Sequence, residues 1–444
     1  MSEILLDTPC GRIRGVQEAG CRIFRSIPYA ATPRFEKPVE TTHWDGVLDA
    51  VPNGADCWQY GAFRESRTPA DFFYEKEFRN GLHFTYTEEY VTLNIVAPAD
   101  AQNCPVLVFV HGGGHETGTV GELPYGTCTE YARHGIVFVS VGYRLNVFSL
   151  FRCGNYGLFD LLAAFSWLQH NLPAFGGDGT RMTAIGQSAG AMSLTDLCLS
   201  PLAAPYLRGA VLMSGGGAVP HLLRPCTRQE ADPYWDKVRA AAGVQTDEAL
   251  KAVPAKTLWE AWYSVRSAAK DLRLMQPGID GEIIRGEPDK LLKAGEQLPI
   301  PYILGVTSQD FLPVVLYEMA LRWGKSAAVH GYPPVYGYLF DHALPGNSYK
   351  AWHACDLWYL FGSMERSWRP FTDGDRALSQ QMIAHAAQFV KTGDPNGSGL
   401  PAWPALAPGQ QAFRRFDTAA PALLGPAGCR ARALRTALFD KGPM

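Results

Sequence analysis

The chain has no apolar run long enough to span a bilayer. Its longest unbroken stretches, such as Val106 to Val110 and Ile136 to Val139, are strand-sized, against the roughly 20 residues that a spanning helix requires. A membrane is not an expected partner. The chain also lacks a dominant charge, with 40 Lys and Arg against 43 Asp and Glu for a formal charge of -3, and no run of Lys or Arg exceeds two. A surface that tracks phosphates needs a basic excess, so nucleic acid is not an expected partner either. None of the 10 cysteines stands in a CxxC pair, which removes zinc ribbons and compact disulfide scaffolds and leaves free thiols as the expectation. The start, Met1-Ser2-Glu3-Ile4-Leu5-Leu6-Asp7, has neither a basic region nor a long apolar one, so the expected compartment is the cytoplasm. Charged residues make up only 19% and hydrophobic ones 47%, too few charges for a disordered chain and enough apolar surface for a core.

What is present is alternation. The first 26 residues show short apolar bursts around glycines, Gly11-Arg12-Ile13-Arg14-Gly15 and then Arg22-Ile23-Phe24-Arg25, the pattern of a small antiparallel meander. From Val91 onward, β-rich runs alternate with helical patterns: Leu93 to Val96, Val106 to Val110, Ile136 to Val141, Met182 to Ile185, Ala210 to Met213, Ile300 to Val306 and Val335 to Phe340. This order argues an α/β fold with a central, mostly parallel twisted sheet covered on both faces. Leu158, Leu161, Leu162, Phe165 and Leu168 follow helical spacing, and Pro173 with Gly176-Gly177 stops that helix. Residues of about 218–276 turn helical without strand signals, with Trp235, Trp259, Trp262 and Tyr263 among alanines and charges, and are read as an inserted cap. The Ala- and Pro-rich stretch from about Pro401 to Pro426 is read as surface loop. No interdomain linker stands out, so residues 1–444 are read as one domain.

Gly186-Gln187-Ser188-Ala189-Gly190 is the only G-x-S-x-G in the chain. It is short enough to recur by chance and draws its weight from context, a strand arriving at Ile185 and an Ala/Leu-rich helix leaving at Ala189. Such a turn needs small neighbours, and it lifts the serine hydroxyl free at the positive end of a helix. His111-Gly112-Gly113-Gly114 follows another strand end, where outward-turned backbone N–H groups can approach a substrate oxygen. A serine nucleophile needs a base, and the base needs an acid that fixes its tautomer. Asp310 follows the strand Ile300 to Val306 and is preferred to Glu318, which falls inside an expected helix. For the base, His342 and His353 compete, and topology alone slightly favours His342.

Taken in order, these landmarks resemble the type-B carboxylesterases, the cholinesterase-like group of the α/β-hydrolases. Phe24 to Ala30, Leu93-Asn94-Ile95, His111 to Gly114, Phe175-Gly176-Gly177-Asp178 and Gly186 to Ser193 resemble the family's early stretches. Asp280-Gly281-Glu282, Gly305 to Asp310, His353 to Gly362 and Phe389 to Asn396 resemble its later ones. The resemblance implies an α/β-hydrolase that cleaves carboxylic esters through an acyl-enzyme, with Ser188 as nucleophile, His353 as base and Asp310 where the family usually has Glu. It implies an oxyanion hole of Gly113, Gly114 and Ala189, and supporting hydrogen bonds near the histidine from Ser214 and Asp356. His342 then resembles a noncatalytic histidine. No cofactor or metal is called for, the partner is a small-molecule ester, and the chain is expected as monomer or homodimer. Amide, thioester or lactone cleavage on the same triad is the alternative, and a non-catalytic binding module the more distant one.

The departures are informative. Gln187 stands where the family commonly has Glu, which removes a negative charge from the pocket and argues against esters of cationic alcohols. Tyr90 cannot form the disulfide that secreted members make from the position of Cys57. The cap is expected to be reduced, since the chain is shorter than the family norm after Gly217 and near Trp323. His115-Glu116 starts a zinc-type motif that fails at Thr119, and Gly324-Lys325-Ser326 ends a phosphate-binding loop whose first glycine would fall on Met319.

Overall fold

The computed structural model describes residues 2–59, 69–219, 224–419, 423–425 and 428. Residues 220–223 of the expected cap, and 420–422 and 426 of the expected C-terminal loop, lie outside these. The strands that organise the chain are β1 (Ser2–Thr8), β2 (Gly11–Glu18), β3 (Cys21–Ala31), β4 (Tyr90–Pro98), β5 (Cys104–Val110), β6 (Val137–Val141), β7 (Gly177–Gln187), β8 (Leu207–Met213), β9 (Tyr302–Thr307), β10 (Val335–Phe340), β11 (Phe413–Phe416) and β12 (Leu423–Leu424). They form one sheet in the order β1-β2-β3-β4-β6-β5-β7-β8-β9-β10-β11-β12, and the short strands Val39–Glu40 and Val47–Asp49 pair with β3 and β2. From β6 to β11 every pairing is parallel. The central strands are buried along almost their whole length, as strands covered on both faces must be, and their unbroken apolar runs follow from that.

The N-terminal meander is longer than its sequence pattern and is not separate. β3 pairs antiparallel with β4, with Ile23 opposite Val96 and Phe24 opposite Ile95, so the meander extends the main sheet. Its register shifts between Phe24 and Ile27, where Ser26 takes a positive φ and its N–H donates to Asn94 Oδ1 at 2.7 Å. That bulge breaks the alternation at Ser26, which is why the pattern ends there while the strand continues. A second strand hides in the expected C-terminal loop: β11 pairs parallel with β10, and its four residues are too few to show a period.

Six helices matter to the site: α1 (Tyr156–Asn171), α2 (Ala189–Cys198), α3 (Arg228–Ala241), α4 (Ala255–Ala268), α5 (Pro313–Val329) and α6 (Asp373–Thr392). α1 buries Leu158, Leu161, Phe165 and Leu168 as its spacing predicts, with Leu162 at the edge of the face, and a 3-10 turn through Pro173 ends at Gly176 with φ 82. α3 and α4 are the expected cap, and Trp235, Trp259 and Trp262 are its buried core. Arg152 pins the cap to the sheet domain: its guanidinium meets Asp232 at 2.7 Å and Asp236 at 2.6 Å, both on α3, and also Asp247. Among the described residues no helix is long and apolar enough to cross a membrane.

Arg144 and Asp160 form a fully buried pair, 2% and 0% exposed, with Nη2 to Oδ1 at 2.7 Å. The remaining donors are used as well, Nη1 on the carbonyls of Pro33 and Glu36 and the backbone N–H of Arg144 on Asp160 Oδ2. Removing one partner strands the other's charge in the core. Asp160→Ala is therefore expected to cost about 3–5 kcal/mol, read as a lowered denaturation midpoint with little change in slope on urea unfolding.

Candidate active site

The sequence elements meet at the carboxyl ends of the parallel strands, where open α/β sheets carry their ligands. β7 lies between β5 and β8, so the turn after it is flanked by the His111–Gly114 loop on one side and Ser214 on the other. Ser188 sits in that turn at φ 55, ψ -125, a backbone region that L-residues rarely occupy, held by its N–H donating 2.8 Å to Met213 O. The turn is possible because of its glycines. A Cβ on Gly186 would lie 2.6 Å from the Gly190 backbone, and one on Gly190 would overlap the Val110 carbonyl. The hydroxyl of Ser188 is thereby presented at the first turn of α2.

His353 reaches this point from the segment after β10. Its Nδ1 lies 2.6 Å from Asp310 Oδ1, and its Nε2 lies 3.2 Å from the side-chain amide of Gln187. With the Gln187 NH₂ donating, Nε2 is an acceptor and the ring's proton is on Nδ1, facing the carboxylate. Asp310 is fully buried, which opposes its charge. His353, donation from Phe311 N at 2.9 Å and the nearby Ser214 hydroxyl outweigh that and hold its carboxyl below the usual range. Ser214 Oγ lies near this carboxylate without reaching hydrogen-bonding geometry. Thr307 Oγ1 donates to the other oxygen of Asp310 at 3.0 Å. The Phe311 ring lies over His353, centroids 4.3 Å apart.

Asp356 is brought close but not into contact. It accepts from Tyr338 Oη at 2.8 Å rather than from His353, and its Oδ1 has no hydrogen-bond partner among the described residues. Burial above all, with Asp310 nearby, raises its carboxyl to about 6. His342 is elsewhere, with Nε2 2.7 Å from Asp375 and Nδ1 3.3 Å from Asp417. Glu318 lies on α5 and lines neither cavity at Ser188.

Opposite the serine, Gly113 and Gly114 take φ 105 and 66, and with Ala189 N they leave three backbone N–H groups without a protein acceptor among the described residues. Gly112 must also lack a side chain, because a Cβ there would meet Gln187 Oε1 at 2.7 Å. Two cavities meet over Ser188, Phe311 and His353. One is lined by Gly112–Gly114, Tyr74, Phe78 and Tyr125, the other by Met192, Leu316 and Met319 toward the cap.

The sequence reading missed what holds the glycine loop. His115 is buried at φ 60 with Nε2 3.1 Å from Ser193 Oγ on α2, and burial lowers it to about 4, so it is a neutral wedge between loop and helix. Glu116 accepts from Arg266 Nε at 2.9 Å, tying the same loop to the cap helix α4. Gln59 clamps the loop's far end, its Oε1 accepting from Gly118 N at 2.9 Å and its Nε2 donating to Gly118 O at 2.8 Å. The failed zinc-type pattern marked His115 and Glu116 but could not reveal partners 78 and 150 residues away.

A family model described as the carboxylesterase family matches residues 2–328 and 320–422. Carboxylesterase 4A of Bos taurus is 27% identical, with 90% of this chain and 89% of that protein covered. Para-nitrobenzyl esterase of Bacillus subtilis (strain 168) is 28% identical over 91% of this chain and 93% of its own. Among solved structures, a PNB esterase superposes with TM-score 0.82 at 25% identity, covering 97% of this chain and 99% of the other. A Geobacillus stearothermophilus carboxylesterase superposes with TM-score 0.81 at 27% identity, covering 96% and 99%.

Asp356 gives the site a pH-dependent stability of definite sign. Its proton affinity is raised on folding, so the folded state is favoured below the unfolded value of 3.8 and loses that advantage as pH rises through about 6. Asp356→Asn keeps an acceptor for Tyr338 and removes the buried charge. Relative to wild type it should gain roughly 2–3 kcal/mol between pH 4 and pH 7, measured by urea unfolding at both values.

Proposed function

Because the chain belongs to the carboxylesterase family and is a serine hydrolase acting on ester bonds, we propose that Ser188 is its nucleophile, His353 the general base and Asp310 the acid that fixes the imidazole. The observation that carries this is the 2.6 Å contact of His353 Nδ1 with Asp310, which leaves Nε2 as a lone-pair acceptor on the side of Ser188. Nε2 exchanges the Gln187 amide for the Ser188 hydroxyl and takes its proton as Oγ bonds to the ester carbonyl carbon. The carbonyl oxygen becomes an oxyanion and receives the N–H groups of Gly113, Gly114 and Ala189. The bond to the leaving alcohol then breaks, and the imidazolium returns the proton to that oxygen. Water repeats the sequence on the acyl-enzyme and releases the acid.

Asp310 stabilises the imidazolium, and its depressed proton affinity means that it keeps its charge through the cycle. Gln187, Ser214 and Asp356 support this set: Gln187 parks Nε2, Ser214 biases Asp310, and Asp356 anchors the segment of His353 through Tyr338. We further read the chain as one domain, monomeric or homodimeric, acting in the cytoplasm without nucleic-acid partners. The 14-stranded sheet that runs from Ser2 to Leu424 supports the single domain, and the nine free cysteines among the described residues support a reducing compartment.

His353→Ala is expected to lose at least 10³-fold in kcat on a p-nitrophenyl ester, while His342→Ala stays within about threefold of wild type. Comparable losses in both would overturn the assignment of His353 as the base. Fluorophosphonate labelling should fall on Ser188 alone.

Gln187→Glu would put a carboxylate where the amide now faces Nε2. An opposite charge at that distance favours the imidazolium, so the acidic limb of the kcat/KM profile is expected to shift upward by about 1–2 pH units. An unmoved limb would show that Gln187 does not face the base.

A further inference from the structure

The cavity toward the cap runs along one face of α2. Ser188, Met192, Thr195 and Asp196 all line it, and their spacing stacks them on successive turns. Close to Ser188 the opposite wall is apolar, built by Val315, Leu316 and Met319 of α5. Asp196 interrupts this apolar lining two turns down the helix. Eight residues at 1.5 Å per residue put it about 12 Å from the nucleophile.

The other charges around this cavity are occupied. Arg224 is held by Glu230, Glu287 meets Lys290 at 2.9 Å, Asp289 meets Lys293 at 2.7 Å, and Asp310 meets His353. Asp196 is partly buried and, among the described residues, makes neither a side-chain hydrogen bond nor an ion pair.

Building on the assignment of Ser188 as nucleophile, we propose that Asp196 is a specificity-determining residue that selects esters in which one long apolar arm ends in a protonated amine. Among the described residues Arg224 is the one Lys or Arg lining the cavity, and it is held by Glu230, so an arm ending in a carboxylate meets no free cation there. The methylene stem meets the apolar wall, and the ammonium supplies the N–H donors that Asp196 lacks. Burial first, and Asp280 second, raise the empty site's Asp196 carboxyl to about 8. An ammonium beside it reverses that balance, and the acid gives up its proton and pairs with the cation. The span suits about eight bonds between the ester carbon and the nitrogen, at ~1.2 Å per bond of extended chain.

The test compares isosteric pairs at pH 7.5: methyl 8-aminooctanoate with methyl nonanoate for the acyl arm, and 6-aminohexyl acetate with heptyl acetate for the alcohol arm. In one pair the wild type should favour the amine by kcat/KM. Both Asp196→Leu and Asp196→Asn should lower that amine-to-methyl ratio at least tenfold, and the pair that responds identifies the arm. A wild-type ratio below one in both pairs overturns the proposal without recourse to any variant. So does a ratio that moves less than threefold in the variants. p-Nitrophenyl acetate, too short to reach Asp196, separates the two levels of argument: if the wild type does not hydrolyse it through Ser188, the assignment of the nucleophile falls rather than the role of Asp196.

Discussion

At Gly190 the first turn of α2 presses on the Val110 and His111 carbonyls so closely that no Cβ can be accommodated. The rest of the site depends on that contact. It brings the end of β5 against the start of α2, so the glycines after β5 and the N–H of Ala189 come to surround one point in space. It also forces Ser188 into its positive-φ conformation, because the chain must reverse within one residue to pass from β7 into the helix. Backbone strain of this kind costs on the order of 1–3 kcal/mol and persists because the strand and helix on either side are both buried. Gly186 and Gly112 answer the same constraint from the other two sides.

The sequence disclosed this arrangement unevenly, and the reasons are physical. Features written in contiguous residues were legible: the turn from Gly186 to Gly190, the glycine run after β5, the α1 face, and the unbroken apolar strands of a doubly covered sheet. Features written in distant pairs were not. The contact of His353 with Asp310 spans 43 residues, and topology alone could not rank His353 above His342, which also follows β10 but turns to Asp375 on α6. Resemblance, not periodicity, separated them. The bulge at Ser26 and the four-residue β11 escaped because each breaks or falls short of the period that reveals a strand. Asp356 was expected to hydrogen-bond near the histidine, and the hydrogen bond it makes is with Tyr338, whose ring occupies the space over Gly305.

The glycine loop itself is soft, since three consecutive residues without side chains resist little deformation. Its order is imposed from outside. His115 wedges it against α2 through Ser193, Gln59 ties its far end, and Glu116 holds it to Arg266 on the cap. Arg152 in turn fastens the cap to the sheet through three carboxylates. The glycine loop and the cap are thus tied together through Glu116 and Arg266.

The same geometry separates two uses of charge. A carboxylate at position 187 would stand beside Nε2 of His353, now 3.2 Å from the Gln187 amide, and favour the imidazolium by about 1.4–2.7 kcal/mol, the equivalent of one to two pH units. At the roughly 12 Å that α2 places between Ser188 and Asp196, the Coulomb interaction of the same charges falls to about a quarter. A negative charge beside His353 attracts a cation and also raises the proton affinity of the imidazole. A carboxyl two helical turns away can pair with a cationic arm while disturbing His353 far less. Gln187 keeps the first position neutral, and the carboxyl at the second has no competing partner among the described residues. Cation recognition, proposed for Asp196 on α2, and proton transfer, proposed for His353 after β10, then draw on different elements of the fold.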